Sequence, residues 1–245
     1  MTRLVRAELL KATTTRLLLW LGLLILALVT LIVSLDAGQN GASDLAGPGH
    51  QRDLVSSAAV SALVALIFGI VASAGEYAHG TISHTFLVAP VRPRVIAAKV
   101  FAGMLAGLAL ALVAEIGAWL LAALWLSGKS VPSHLASHDI LKLFLGTLLA
   151  AAIAAGIGVG LGALLRRQTG AIVIALIWLL VGEPLLAIGG VQPYAPGHAI
   201  AAVAVGAGHS SGELLGFGPA TLLALGYAAV LALLGAWVVN RSDVT

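Results

Sequence analysis

The sequence predicts an all-α integral membrane protein with six transmembrane helices. Of its 245 residues, 60% are hydrophobic and only 9% are charged, and the mean hydropathy is +1.06. A soluble domain of this length could not bury so much apolar surface. Runs long enough to cross a bilayer lie at about 17–35, 54–75, 95–126, 140–165, 170–188 and 219–239. We therefore expect one transmembrane domain over residues 1–245.

The segments between these runs are short, except for two. A basic amphipathic segment before the first span contains Arg3, Arg6 and Lys11, and it suits either the membrane interface or a charged lead-in to the span. The first apolar run exceeds the usual length of the apolar region of a signal peptide, and more spans follow it, so we expect no cleavage. Residues 36–53 are predicted to form a loop, and residues 189–218 a long loop without Lys or Arg.

The basic residues predict the orientation. With the N-terminus inside, the outer segments hold three basic residues, Arg52, Lys129 and Lys142. The inner segments hold ten, namely Arg3, Arg6, Lys11, Arg16, Arg92, Arg94, Lys99, Arg166, Arg167 and Arg241. This excess of positive charge predicts that both termini are cytoplasmic. The pI near 9.6 therefore reflects topology, and we expect no nucleic-acid partner.

The polar stretch 76–99 between the second and third spans is predicted to hold a short cytoplasmic helix. Gly80 ends the preceding helix, Thr81 can cap a new one, and Pro90 with Pro93 stops it. Its apolar face carries Ile82, Phe86 and Leu87, whereas Ser83, His84 and Thr85 lie elsewhere. A helix of about two turns is unstable alone in water. It therefore needs the membrane surface or another protein.

This stretch also resembles a known loop. Glu76, Gly80-Thr81, Leu87, Pro90, Arg92 and Lys99 are similar in order and spacing to the loop between spans two and three of permeases in type-2 ATP-binding-cassette (ABC) exporters, especially small actinobacterial ones. The resemblance implies a coupling helix that docks on a separate ATPase subunit. It also implies two ATPase copies, a second permease that is identical or homologous, and a location in the bacterial plasma membrane.

The resemblance assigns roles to particular residues. Phe86 and Leu87 would fill an apolar groove on the ATPase, while Glu76, Arg92 and Arg94 would set the register at its rim. The whole expected interface is Glu76, Gly80, Thr81, Ile82, Phe86, Leu87, Pro90, Arg92, Arg94 and Lys99. ATP and Mg²⁺ would bind the partner, with no cofactor in this chain and no enzymatic activity of its own. Segment 189–218 resembles the region that caps the exit of the transport path.

Two carboxylates lie inside predicted spans. Glu115 is well within the third span, and Glu183 precedes Pro184 in the fifth, where a carboxylate and a proline kink coincide. Ionisable residues within membranes usually have a function. Both acids are therefore candidates for the translocation path. Alternatively, Glu115 hydrogen-bonds a neighbouring helix and Glu183 reaches the outer headgroups.

Three further patterns have weak structural contexts. Gly128-Lys129-Ser130 ends a relaxed phosphate-binding pattern, but it lies where a span ends, so we expect no ATP site here. Ser210 lies in a Gly-x-Ser-x-Gly pattern that is better explained as a flexible loop. His134 and His138 have the spacing of two zinc ligands but lack a complete ligand set, so we expect no metal site.

Two alternative functions follow from these residues. The first is an intramembrane hydrolase that uses Ser210, and the second is an ion-coupled secondary transporter that uses Glu115. Carriers of the second kind are often built from repeated halves, and no repeat is evident in this chain.

Glycines in the spans predict close helix packing. Gly103 and Gly107 form one ridge in the third span. A denser ridge in the fourth span consists of Gly156, Gly158, Gly160 and Gly162. Small residues at this spacing let helix backbones approach each other. The ridges are expected to be packing seams within one subunit, although one of them could serve a dimer.

Overall fold

The computed structural model describes residues 2–78, 80–82, 91–205 and 214–241. These residues form helices and turns, with no strand among them. The six predicted spans are confirmed by helical runs long and apolar enough to cross a membrane: Leu17–Gln39, Pro48–Ala78, Arg92–Gly128, His138–Leu165, Gln168–Gly189 and Phe217–Arg241.

Eleven α-helices are numbered here in chain order within the described residues. They are α1 (Thr2–Thr14), α2 (Leu17–Gln39), α3 (Ala42–Leu45), α4 (Pro48–Ser56), α5 (Val60–Ala78), α6 (Arg92–Gly128), α7 (His138–Leu165), α8 (Gln168–Ile177), α9 (Glu183–Leu186), α10 (Pro196–Val205) and α11 (Phe217–Arg241). A 3₁₀ turn joins α4 to α5 within the second span, and a π-helical turn joins α8 to α9 within the fifth.

Helix α7 forms the centre of the bundle and packs against α5, α6, α10 and α11. Its glycine ridge makes this possible. A Cβ atom added to Gly158 would lie 2.1 Å from the Leu66 carbonyl oxygen on α5, and one added to Gly160 would lie 2.8 Å from the Ala232 nitrogen on α11. The ridge is therefore a packing seam within the subunit, as the sequence predicts.

Both ends of the described chain lie at the same end of the bundle, which we name the base; the opposite end is the top. The Arg92 guanidinium at the start of α6 donates a hydrogen bond of 2.7 Å to the Val239 carbonyl near the end of α11. About two turns further along α6, the Lys99 ammonium contacts the Glu8 carboxylate of α1 at 2.8 Å. The first and the last helix therefore both contact the start of α6.

The segment at residues 36–53, predicted to be a loop, is largely helical, so that prediction is wrong. The first span continues to Gln39, and α3 and α4 follow it. The Lys129 ammonium donates hydrogen bonds to the carbonyls of Ala37 and Asn40 and so satisfies the end of α2. Pro48 then occupies the first turn of α4, where a missing N–H costs nothing.

The third span is one continuous helix of 37 residues, α6. At 1.5 Å per residue it is about 55 Å long, well beyond a hydrocarbon core of about 30 Å. Pro93 lies in its first turn, where it is tolerated. The helix therefore extends out of the apolar layer, and its first turns are available for contacts at the base.

The fifth span is irregular where the sequence predicts a kink. A π-helical turn over Trp178–Gly182 immediately precedes Glu183–Leu186. Pro184 cannot donate a hydrogen bond to the carbonyl four residues earlier, so regular α-helical bonding is interrupted there. The interruption positions the Glu183 side chain at the top of the bundle.

Candidate functional site

Four charged side chains meet at the base, and we name them the base cluster: Glu8, Lys11, Glu76 and Lys99. The Lys99 ammonium lies 2.8 Å from Glu8 Oε2 and 2.6 Å from Glu76 Oε1. The Lys11 ammonium lies 2.7 Å from Glu8 Oε1 and 2.9 Å from Glu76 Oε1. The cluster thus joins α1 to the end of α5 and the start of α6.

The cluster is largely buried. The Lys99 side chain is 4% exposed and the two carboxylates are 12–13% exposed, whereas Lys11 is 45% exposed. Burial opposes ionisation of Glu8, but the Lys99 and Lys11 ammonium groups outweigh it and lower the pKa of Glu8 below 4.5. The contribution of this carboxylate to stability is therefore present above pH 4.5 and is lost as the pH falls through the lowered pKa.

Lys11 shows the opposite dependence. Burial acts against its charge, but hydrogen bonds to Glu8 and Glu76 outweigh that effect and raise its pKa above 10.5. Its contribution is present below pH 10.5 and is lost as the pH rises through the raised pKa. Both contributions are therefore present at neutral pH.

The end of α5 is built as the sequence predicts at Gly80. This residue has a positive φ of 67°, which favours glycine. Its N–H donates to the Tyr77 carbonyl, and the Thr81 N–H donates to the Glu76 carbonyl, which is the Schellman pattern at a helix end. The Thr81 hydroxyl lies 3.5 Å from the same Glu76 carbonyl oxygen.

The other residues of the expected ATPase interface separate into two groups. Ile82 is 3% exposed and packs with Val95 and Ile96 inside the base. Arg92 bonds Val239, and Glu76 and Lys99 belong to the base cluster, so these four side chains contact the protein itself. Arg94 is exposed. The remaining expected contacts, Phe86, Leu87 and Pro90, lie outside the described residues.

A cavity of about 770 Å³ opens beside the base cluster. It lies between α1, the start of α2, and helices α5, α6 and α7, with Gln168 of α8 at its edge. All four residues of the base cluster line it, together with Thr81. Its lining includes neither Glu115 nor Glu183.

Glu183 holds α10 at the top of the bundle. Its side chain is 3% exposed. Oε1 accepts hydrogen bonds from the Gly197 N–H at 2.5 Å and the Trp178 indole at 3.2 Å, and Oε2 contacts the His198 N–H at 3.1 Å and ring Nδ1 at 2.9 Å. A carboxylate at the N-terminus of a helix satisfies unpaired N–H groups and complements the helix dipole.

The other end of α10 is held by donors. The Arg52 guanidinium donates to the Val205 carbonyl at 3.0 Å, and the Thr147 hydroxyl lies 3.5 Å from the Ala204 carbonyl. A positive charge at the C-terminal end again suits the helix dipole. The segment predicted as a loop at 189–218 therefore contains a helix fixed at both ends.

Glu115 is fully buried in α6, and neither carboxylate oxygen accepts a hydrogen bond from the described residues. Thr147 of α7 lies within interaction range of this carboxyl. The Thr147 hydroxyl itself lies 3.5 Å from the Ala204 carbonyl at the end of α10. The sequence identifies Glu115 as unusual, but not this neighbour.

Replacing Glu183 with glutamine is expected to loosen α10. An amide has one oxygen and cannot accept all four contacts, so we expect a loss of about 2 kcal/mol. The chain has no cysteine, so a single Ala202→Cys probe can be labelled selectively. The position is 3% exposed, so the labelling rate reports how readily α10 separates from the bundle. Labelling by a small maleimide should accelerate at least about tenfold. Asp139→Asn, at an exposed carboxylate, is the matched control, and equal rates in the two variants would contradict the prediction.

Two of the three weak patterns can be located. Gly128 and Lys129 end α6, and Lys129 is bound to the end of α2 rather than placed between a strand and a helix. Within the described residues no three His, Asp or Glu side chains converge as a metal site. Ser210 lies outside the described residues.

The model of one protein family, described as ABC-2 family transporter protein, matches residues 4–182. The chain belongs to the ABC-2 transporter family. The match covers α1 to the π-helical turn, and so includes the base cluster, the cavity and Glu115. No curated protein sequence matches the chain at a significant level. As an ABC-2 protein with six spans, it is a multi-pass membrane protein with a permease role in an ABC transporter.

The sequence interpretation is therefore confirmed at the level of the family. Proteins of the ABC-2 family are membrane components of transporters, and the family implies an ATPase partner in general. Neither the hydrolase that would use Ser210 nor the carrier that would use Glu115 gains support from the match.

Proposed function

We propose that this ABC-2 permease is the membrane-spanning subunit of an exporter, and that segment 76–99 transmits the conformational change of the ATPase to it. The observation that carries the proposal is the base cluster, which joins α1, α5 and α6. Helices α5 and α6 flank the expected coupling helix. A push on that helix would reach all three elements together because buried ion pairs connect them.

The base is the end that would face the cytoplasm and the ATPase. Ten of the 13 basic residues belong to the segments that flank the spans at the base. This matches the excess of positive charge on the inner side of bacterial membrane proteins. In this orientation α10 and Glu183 lie at the outer end.

Docking would use Arg94, which is exposed, together with residues of the predicted coupling helix. Phe86 and Leu87 would fill an apolar groove on the ATPase, with Thr81, Pro90 and Arg94 near its rim. Glu76, Ile82, Arg92 and Lys99 would act indirectly, because their side chains hold the base together. This division differs from the sequence prediction, in which all of these side chains contact the partner.

Transport would follow alternating access. Closure of two ATPase subunits on ATP and Mg²⁺ would move α5 and α6, and the path between this chain and a second permease, identical or homologous, would change its opening. The first, fifth and sixth spans are the least buried and offer apolar faces to lipid or to that second permease. Release of α10 at the top would open the exit, and Glu183 would then lie at the path; Glu115 remains a candidate within it.

Reversing the charge of Arg94 tests the docking surface. Arg94→Glu is expected to weaken association with the ATPase at least about tenfold, because an exposed cation at the rim is replaced by an anion. Arg167→Glu makes the same change at another exposed position at the base and should leave association unchanged. Binding is measured with purified permease and ATPase. The assignment would be contradicted if both variants weakened association equally, or if neither variant weakened it.

The energy source separates this proposal from an ion-driven carrier. Vesicles that contain the permease and its ATPase should transport only with hydrolysable ATP and should be insensitive to an ionophore that collapses the proton gradient. Transport that survives without ATP and stops with the ionophore would overturn the proposal.

A further inference from the structure

The cavity beside the base cluster has two distinct parts. Its volume of about 770 Å³ lies within the range of ligand sites, about 300–1,000 Å³. The inner part is lined by apolar side chains, namely Leu17, Phe68, Val71, Ala72, Ala102 and Val159. Phe68 precedes Glu76 by two helical turns, roughly 12 Å along α5. The cavity is therefore apolar inside and charged where α1 crosses it.

The charged part is balanced. Two carboxylates and two ammonium groups cancel, so a head group with a net charge meets no excess of the opposite sign. A zwitterion can pair with both signs. Lys11 is the most exposed member and can be reached by an anionic group, and the partly exposed side chains of Glu8 and Glu76, at 13% and 12%, line the same cavity. The cavity wall thus offers a ligand both a cationic and an anionic group.

We propose that this cavity binds an amphiphile with a zwitterionic head group. Its chain would lie along Phe68, Ala72 and Ala102, its ammonium group at the carboxylates of Glu8 and Glu76, and its anionic group at Lys11. Binding requires only the permease, so this inference stands apart from the proposed coupling to an ATPase. Two sources share the chemistry: a lipid of the surrounding membrane and a transported amphiphile.

Photolabelling tests the site. The full-length permease is mixed with lysophosphatidylethanolamine that carries a diazirine in its acyl chain, and labelled peptides are identified by mass spectrometry. Labels are expected on residues 68–75 and 102–103 in excess over lipid-facing residues of α2. Unlabelled lysophosphatidylethanolamine should compete at least about tenfold better than anionic lysophosphatidylglycerol or a cationic alkyltrimethylammonium. Labelling spread evenly over lipid-facing surfaces would overturn the proposal.

A pair of phenylalanine substitutions separates the cavity from the general membrane surface. Ala72→Phe fills the cavity and should remove labelling of residues 102–103 while the labels on lipid-facing residues persist. Ala27→Phe makes the same change at an exposed position of α2 and should leave cavity labelling intact. If both variants fold and Ala72→Phe leaves cavity labelling unchanged, the site is contradicted.

Charge balance tests the head group. Lys11→Gln leaves the cluster with a net negative charge, so the best competitor should become the cationic amphiphile. Glu8→Gln leaves a net positive charge, so the anionic one should gain. Because Lys11 is half exposed, replacing it should disturb folding less than replacing the buried Lys99 would. No change of preference in either variant would overturn the zwitterion assignment.

The source is distinguished by adding the ATPase and ATP to permease in vesicles. ATP-dependent movement of the lysolipid across the bilayer identifies transported cargo, whereas retention at the labelled site identifies a resident lipid; both results support the site. Absence of cavity labelling alongside normal ATPase association would overturn the site while leaving the proposed function intact.

Discussion

Replacing Gly158 with alanine is expected to destabilise the permease strongly. The added Cβ atom would lie 2.1 Å from the Leu66 carbonyl oxygen and 3.0 Å from the Ile70 nitrogen, both backbone atoms of α5. Neither atom can rotate away, so α5 and α7 must separate. Overpacking typically costs about 1–3 kcal/mol and occasionally more, and a clash with two backbone atoms lies at the upper end of that range. The variant should accumulate poorly in membranes and unfold at a lower temperature in detergent.

Gly226→Ala is the control for this prediction. Gly226 is exposed on α11, and a Cβ atom there would have no neighbour within 4 Å. Alanine favours a helix by up to about 1 kcal/mol over glycine, so this variant should be as stable as the original or slightly more so. Equal accumulation and equal melting temperatures for the two variants would show that α5 and α7 do not cross as closely as described.

Replacing Lys99 with methionine is expected to release α1 from the base. The ammonium is 4% exposed and neutralises Glu8 and Glu76 together. Its loss would leave two partly buried carboxylates facing each other with only Lys11 between them. Removing one partner of a buried ion pair costs about 3–5 kcal/mol. Thermal unfolding in detergent should show the loss, and a spin label at exposed Thr14 should become more mobile.

Two further variants show whether charge causes this effect. Lys142→Met removes one partner of an exposed ion pair, Lys142 with Asp139, and should change stability by less than about 1 kcal/mol. The triple variant Lys99→Met, Glu8→Gln, Glu76→Gln has no buried carboxylate left without a partner, and Lys11, which loses both carboxylates, is 45% exposed to solvent, so much of the stability should return. A triple variant less stable than Lys99→Met would contradict the electrostatic explanation.

Much of the fold is predictable because a bilayer restricts the possible structures. Every backbone polar group must be satisfied within the apolar layer, so six long apolar runs must become six helices. The helical structure at residues 36–56 was harder to predict; the end of α2, for example, depends on Lys129, which is distant in sequence. The close packing around α7 could be predicted, because the spacing of its glycines places small residues on adjoining faces of the helix.

The candidate site was predictable only in part. The order of residues from Glu76 to Lys99 indicated the family, but not that Glu76 and Lys99 pair with Glu8 and Lys11. Those partners are more than sixty residues away, and no local pattern connects them. A weak signal existed: Glu8 and Lys11 are three residues apart on an amphipathic helix, which places them on one side. Likewise, nothing near Glu183 indicated that it holds the N-terminus of α10.

The central claim is that segment 76–99 docks a separate ATPase, and co-purification tests it most directly. The permease, tagged at its C-terminus, is extracted from its native membranes in mild detergent, and the proteins bound to it are identified by mass spectrometry. We expect a soluble protein with a phosphate-binding loop, which is lost in Phe86→Asp/Leu87→Asp but retained in His84→Asp/Thr85→Asp, where the same two Asp residues are placed on the other face. Recovery of the permease alone under several extraction conditions, or equal recovery of the ATPase with both variants, would contradict the claim.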